Sequence, residues 1–189
     1  IPAILIGVID VREVKRNTVT TTLTGRFGVT NRFEIEARLP HVYRSDASIG
    51  REILQGSATN TVFDASGRGI GDVELTARYQ LNEAAADRPV FVGSLRFKSR
   101  TGTDPFEVET SRNVAGLRDG VQTRLPTGSG FYGLQPAITA LFPSDPVVFF
   151  GTVSYLHNFG RSNVVRNTDT GPEDLGDVQP GGVFGFNFG

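Results

Sequence analysis

Gly71-Asp72-Val73-Glu74-Leu75-Thr76-Ala77-Arg78-Tyr79-Gln80-Leu81 alternates from end to end. Its odd positions are Val73, Leu75, Ala77, Tyr79 and Leu81, all apolar or aromatic. Its even positions are Asp72, Glu74, Thr76, Arg78 and Gln80, all polar. A side-chain period of two predicts a β-strand with one face in an apolar medium and the other in water. One such strand fits any half-buried sheet. Neighbouring segments repeat the pattern, again with charge confined to one side, and that repetition decides the reading.

Upstream, Val19, Thr21, Leu23, Gly25, Phe27 and Val29 alternate with Thr18, Thr20, Thr22, Thr24 and Arg26. Thr30-Asn31-Arg32 is a tight turn, since Asn tolerates a left-handed backbone. Phe33, Ile35, Ala37 and Leu39 then share one face and Glu34, Glu36 and Arg38 the other, so the pair predicts a hairpin. Before Asn17 the pattern runs back through Val14, Arg12, Asp10 and Val8 to Ile4. One tall strand, or two strands joined near Lys15-Arg16-Asn17, satisfies it equally.

Downstream, a turn over 82–89 leads to a strand with Phe91, Gly93, Leu95 and Phe97 on one face. Val92, Ser94, Arg96, Lys98 and Arg100 lie on the other. Tyr132, Leu134, Ile138, Ala140 and Phe142 oppose Gln135, Ala137 and Thr139. After a turn at Pro143-Ser144-Asp145-Pro146, Phe149, Gly151, Val153, Tyr155 and Phe159 oppose Thr152, Ser154 and Asn158. A last strand starts at Val183 with Phe184, Phe186 and Phe188 on one side.

Three polar stretches, 44–69, 101–129 and 160–180, read as long loops. They alternate strictly with short connections at Asn31, Ala85 and Asp145, so short and long connections occupy opposite ends. Outer-membrane barrels have this asymmetry. The segments exceed the ~5–6 residues usual for soluble strands and match the ~9–11 that cross a bilayer at a tilt. Aromatics mark strand ends at Phe27, Phe33, Tyr43, Tyr79, Phe91, Phe142, Phe149 and Phe159.

A lipocalin-like barrel or a sandwich would use the same alternation with the apolar face inward. The loop asymmetry and the terminal aromatics favour the inverted arrangement. In lipid only a closed sheet satisfies every backbone group. The expected fold is therefore all-β, an antiparallel up-and-down transmembrane β-barrel, as a single domain over 1–189. Seven or eight strands are read, the last cut short at Phe188-Gly189. The expectation is a fragment of a larger barrel, incomplete at both ends and lying in the bacterial outer membrane.

Composition removes other classes. The formal net charge of −1 leaves no basic footprint for nucleic acid. With no Cys and two His, neither a disulfide framework nor a Cys-ligated zinc site is available. Hydrophobic residues make up 38%, yet Phe contributes 14 and Gly 23, which suits a sheet with one wet face. The longest apolar run, Ala3-Ile4-Leu5-Ile6-Gly7-Val8-Ile9, stops at Asp10, short of the ~18 residues of a transmembrane helix. It lacks the basic region and cleavage site of a signal peptide, so the chain is expected to begin inside a mature protein.

The charged face is the candidate functional surface: Arg26, Glu34, Glu36, Arg38, Asp72, Glu74, Arg78, Arg96, Lys98 and Arg100. Cross-strand neighbours sit about 4.5–5.5 Å apart at Cβ. Such a face can be an ion-paired lining that solvates the interior and fixes register, or a set of charge rings that steers what passes. Glu34 and Glu36 resemble a catalytic carboxylate pair but lie about 6.6 Å apart along a strand with basic neighbours. His41 and His157 fall on the apolar parity near strand ends and read as interfacial. Ser129 lacks the flanks of a nucleophile elbow, and Asp169, Glu173, Asp174 and Asp177 lack EF-hand spacing. Gly69-Ile70-Gly71 precedes a strand and opens no helix, so it is no nucleotide-binding turn. The reading is a non-enzymatic protein without cofactor or metal.

Four segments carry a family resemblance: Leu39-Pro40-His41-Val42-Tyr43-Arg44-Ser45, Gly69-Ile70-Gly71-Asp72-Val73-Glu74-Leu75, Leu125-Pro126-Thr127-Gly128-Ser129-Gly130 and Ser144-Asp145-Pro146-Val147-Val148-Phe149-Phe150-Gly151. They resemble the outer-membrane transporter family named after the meta-pathway of phenol degradation. Residues 1–16 and 43–106 are more narrowly similar to the export pores of the pseudomonad functional-amyloid system. The resemblance spans nearly the whole chain. It implies a gated, homotrimeric barrel of about twelve strands, within the range of such barrels, with a plug and a periplasmic coiled coil. It further implies export of unfolded amyloid subunits from the periplasm to the cell surface, with outer-membrane lipid around the barrel. The chain departs from that pattern in length and in lacking a heptad region, which puts plug, coiled coil and trimer in question. Passive uptake of aromatic or hydrophobic small molecules, and a structural or ligand-binding barrel without transport, stand as the alternatives.

Overall fold

The computed structural model describes residues 11–51, 61–84, 88–111 and 121–189. The apolar run 3–9 and the midpoint of the short connection at Ala85 lie outside the described residues, as do 52–60 and 112–120 of the two upstream polar stretches. The described residues form twelve strands in chain order: β1 (Val11–Thr30), β2 (Phe33–Arg51), β3 (Thr61–Ile70), β4 (Glu74–Gln80), β5 (Val90–Lys98), β6 (Thr110–Ser111), β7 (Val121–Gln122), β8 (Gly133–Ser144), β9 (Val147–Asn158), β10 (Arg161–Thr168), β11 (Gly171–Val178) and β12 (Val183–Phe188).

The main sheet is an antiparallel meander in the order β1-β2-β4-β5-β8-β9-β12, with β3 also paired to β2. It curls into a half-barrel, and the described residues contain no helix. The all-β, up-and-down expectation holds. The register places like with like: Leu23 opposite Leu39, Leu75 opposite Phe97, Ile138 opposite Val153. Each alternating segment thus contributes its apolar side to one continuous face.

Two of the three polar stretches are not loops. Residues 44–51 continue β2, and 61–69 return as β3 against it. Within 160–180, β10 and β11 form a hairpin on a second, four-stranded sheet, β11-β10-β6-β7. Extended pairing satisfies backbone groups in water as well as in an apolar medium, so these polar segments form strands without a hydrophobic face. β1 runs unbroken through Lys15, Arg16 and Asn17, which resolves the one-or-two-strand question as one strand across the described residues. At 20 residues and ~3.4 Å per residue it is about 65 Å long.

β3 and β4 are one strand interrupted by a bulge. Between the pairs His41–Ile70 and Arg38–Glu74, β2 has two residues, Leu39 and Pro40, while the opposing chain has three, Gly71, Asp72 and Val73. Pro40 has no N–H to donate, and its carbonyl accepts from Gly71 N at 2.8 Å. Proline inside a sheet is found at such irregularities. The extra residue flips parity: odd positions face inward along β3 and even positions along β4.

Candidate functional site

Exposure is inverted relative to a water-soluble sheet. Leu23 is 72% exposed, Phe27 71%, Ile138 57% and Leu95 46%, all on the outer face. On the inner face Glu36 is 0% exposed and Thr76 is buried. On β1, β2, β4 and β5 the apolar parity points out and the charged parity points in.

The inner charges form one network. In the sheet register Arg26, Glu36, Thr76, Arg96 and Gln135 make one cross-strand row. Arg38, Glu74 and Lys98 make the row on one side, and Glu34, Arg78 and Ser94 the row on the other. Glu36 Oε2 accepts from Arg26 Nε at 2.6 Å and from Arg78 Nη1 at 3.0 Å. Arg38 Nε approaches Glu36 Oε1 at 2.6 Å as an ion pair, without hydrogen-bond alignment. Arg78 Nη1 also donates to Glu34 at 2.7 Å, and Arg96 Nη1 reaches both oxygens of Glu74 at 3.2 Å. Arg38 lies 4.0 Å from Glu74, which joins the two halves.

Four strands, β1, β2, β4 and β5, thus place four arginines around three glutamates. Removing one partner of a fully desolvated ion pair leaves an uncompensated charge, so the three guanidiniums around Glu36 are what make its burial tolerable.

Beyond β5 the inner face changes character. β8 and β9 carry uncharged groups: Gln135 Nε2 donates to Ser154 Oγ at 3.1 Å, and the Thr139 and Thr152 hydroxyls are 2.8 Å apart. Where the two halves meet, a cavity of about 220 Å³ is lined by Arg38, Thr76, Arg78, Ser94, Arg96, Gln135, Ala137, Thr152 and Ser154.

The structure brings seven of the ten sequence-predicted residues into this network: Arg26, Glu34, Glu36, Arg38, Glu74, Arg78 and Arg96. The other three sit at its upper border. Asp72 lies in the bulge, off the strand. Its carboxylate accepts from Gly102 N at 3.2 Å, Ser129 N at 2.8 Å and Ser129 Oγ at 2.7 Å. Lys98 closes β5 and donates to the same Ser129 hydroxyl at 2.9 Å. Arg100 lies past the end of β5, 5.5 Å from the centroid of the Tyr132 ring. The tight bulge diverts Asp72 into a loop-fastening role that its even position in the quoted stretch did not signal.

These contacts hold an ordered segment against the inner face of β3. Gly67, Gly69 and Gly71 face inward there, and a Cβ at Gly71 would stand 3.2 Å from Thr127 O. The absence of side chains lets residues 125–128 run along the sheet. Thr127 Oγ1 donates to Ile70 O at 2.8 Å. Thr101 Oγ1 accepts from Val73 N and donates to Gly71 O, both at 2.9 Å. Three backbone groups freed by the bulge, Ile70 O, Gly71 O and Val73 N, are thereby satisfied. Further along, buried Asp104 pairs with Arg161, whose guanidinium lies 5.5 Å from the Phe106 ring centroid, and Phe106 meets Phe131 edge-on.

Sequence reasoning passed over this Asp104–Arg161 pair, Thr127 and Gln135. Asp104-Pro105 was the one local signal, an Asx turn in which Phe106 N donates to Asp104 Oδ1 at 2.8 Å. Of the remaining candidates, His41 and His157 face outward, the latter edge-on to Phe159. Asp169, Glu173, Asp174 and Asp177 belong to the β10–β11 hairpin and its turn. Asp169 accepts from Ser111 Oγ, and Asp177 from Asn163 N. No protein-family model matches the sequence.

Proposed function

We propose that this chain forms part of a bacterial outer-membrane β-barrel that acts as a conduit, with its charged face lining the passage. The observation that carries the reading is the inverted exposure: Leu23, Phe27, Leu95 and Ile138 outward, Glu36 buried inward. In water an exposed apolar band of this extent is a liability. Against lipid it is what a spanning strand requires, and a charge there would cost ~2–4 kcal/mol at the midplane. β5, β8 and β9 have 9, 12 and 12 residues, enough to cross at a tilt. The taller β1–β2–β3 region extends past the bilayer into water, in keeping with its lack of an apolar face.

The cargo we assign is an unfolded amyloid-forming polypeptide, on the strength of the family resemblance. An extended chain needs a wet, wide passage whose contacts are weak, and a face of paired charges and hydroxyls supplies these. Outer-membrane lipid and the amyloid subunit in transit are the partners this implies, with a homotrimer as the assembly.

Planar-bilayer recording tests the conduit: the purified full-length protein is expected to give discrete channel currents, and their absence under conditions where the protein is folded refutes it. Deleting the protein in its host is expected to abolish surface fibrils. Fibrils of normal abundance would remove the cargo assignment while leaving the channel intact.

A further inference from the structure

We propose that the cavity between Arg78 and Arg96 is a carboxylate-binding site, taking either a free small dicarboxylate or an Asp or Glu side chain of a passing peptide. The charges on the inner face do not balance locally. Arg26, Arg38, Arg78 and Arg96 surround Glu34, Glu36 and Glu74, four positive groups to three negative. Arg78 directs Nη1 to both Glu34 and Glu36, and Arg96 directs Nη1 to Glu74. Among the described residues no other nitrogen of either guanidinium has a protein partner.

Both side chains line the same cavity of about 220 Å³. Ser94 stands cross-strand from Arg78 and two residues before Arg96 on the same face, and lines the cavity with both. Gln135, Thr152 and Ser154 supply the opposite side without a carboxylate. A guanidinium with free nitrogens presents a planar fork that matches two carboxylate oxygens. The neutral groups opposite are hydrogen-bonded to their own neighbours and do not repel an anion. No carboxylate lines the cavity, so an anion entering between the two arginines meets no like charge.

The binding measurement does not require conduction, so it fails or succeeds apart from the conduit reading. Full-length protein folded in zwitterionic detergent would be titrated by calorimetry or NMR with sodium succinate, and separately with a short Glu-rich peptide. Succinamide and the Gln-substituted peptide serve as uncharged controls. Saturable binding of at least one carboxylate probe is expected, with neither control binding, and the probe that binds identifies the source of the group. Arg96→Gln is expected to weaken binding about tenfold, the scale of one charge-assisted bidentate contact. Arg96→Lys, which keeps the charge and the fold but loses the fork, is expected to weaken it severalfold. No binding by either probe, equal binding of the controls, or an affinity unchanged in both Arg96 variants overturns the proposal.

Discussion

Placing an arginine at Leu95 separates a lipid-facing from a water-facing outer surface. Leu95 is mid-strand on β5, 46% exposed, between Ala77 on β4 and Pro136 on β8. If that face meets lipid, Leu95→Arg costs ~2–4 kcal/mol near the bilayer centre, a shift of roughly 30- to 900-fold in the folding equilibrium. If it meets water, an arginine at a half-exposed position changes stability by about 0.5 kcal/mol or less. Thr139→Arg on the neighbouring strand is the control, because Thr139 faces inward beside Thr152. Its cost is one hydroxyl hydrogen bond, about 1 kcal/mol. Full-length variants would be refolded into phosphatidylcholine vesicles and titrated with urea, the folded fraction being read from the heat-modifiable band shift of barrels. The expected order of midpoints is wild type, then Thr139→Arg, with Leu95→Arg far below both. Equal midpoints for the two variants, or a more damaging Thr139→Arg, refute the assignment of faces.

Three further outcomes follow from the inner face. Glu36→Ala removes the one buried carboxylate shared by three partly exposed guanidiniums, of which Arg78 keeps Glu34 and Arg38 keeps Glu74, and is expected to lose about 1.5–3 kcal/mol in the same urea titration. Asp72→Ala removes the acceptor of three hydrogen bonds from Gly102 and Ser129. Limited proteolysis should then cut within 101–131 faster than in wild type while the barrel band shift persists. Gly128→Ala would put a Cβ 2.5 Å from Asp72 Oδ1 and 2.8 Å from Gly102 Cα. It is expected to cost about 1–3 kcal/mol and to expose the same segment to protease.

The sheet was legible wherever one face is apolar. Val73 to Leu81, Phe33 to Leu39 and Phe91 to Phe97 each carry a period-two signal, because one continuous apolar face constrains every second residue. Where neither face of a strand is continuously apolar that constraint disappears. Arg44, Ser45, Asp46 and Ala47 extend β2, and Arg161 to Thr168 form β10, yet both stretches read as polar loop. A hint was present in Asp169-Thr170-Gly171, whose glycine at φ 119 closes the β10–β11 turn.

Asp72 misled for a different reason. A single extra residue reverses parity, and nothing in the alternation of 71–81 reveals where pairing to Leu39 and Pro40 slips. Arg100 kept the parity of Arg96 and Lys98 but lies beyond the last paired residue. Seven of the ten charged candidates converge as parity requires. Their partition into a charged half on β1 to β5 and a neutral half on β8 and β9 emerges only from the sheet order.

The chain contains no cysteine, so single introduced thiols can carry a fluorophore at chosen positions. The most direct test of the central claim labels Leu75→Cys, Leu95→Cys and Ile138→Cys on the outer face, and Ser94→Cys, Thr139→Cys and Thr152→Cys on the inner face, in vesicle-reconstituted full-length protein. Quenching by a lipid-chain quencher at the first three, and by a water-soluble quencher at the last three, is the result expected of a lipid-facing apolar surface around a wet interior. The opposite assignment, or no difference between the two sets, would contradict it.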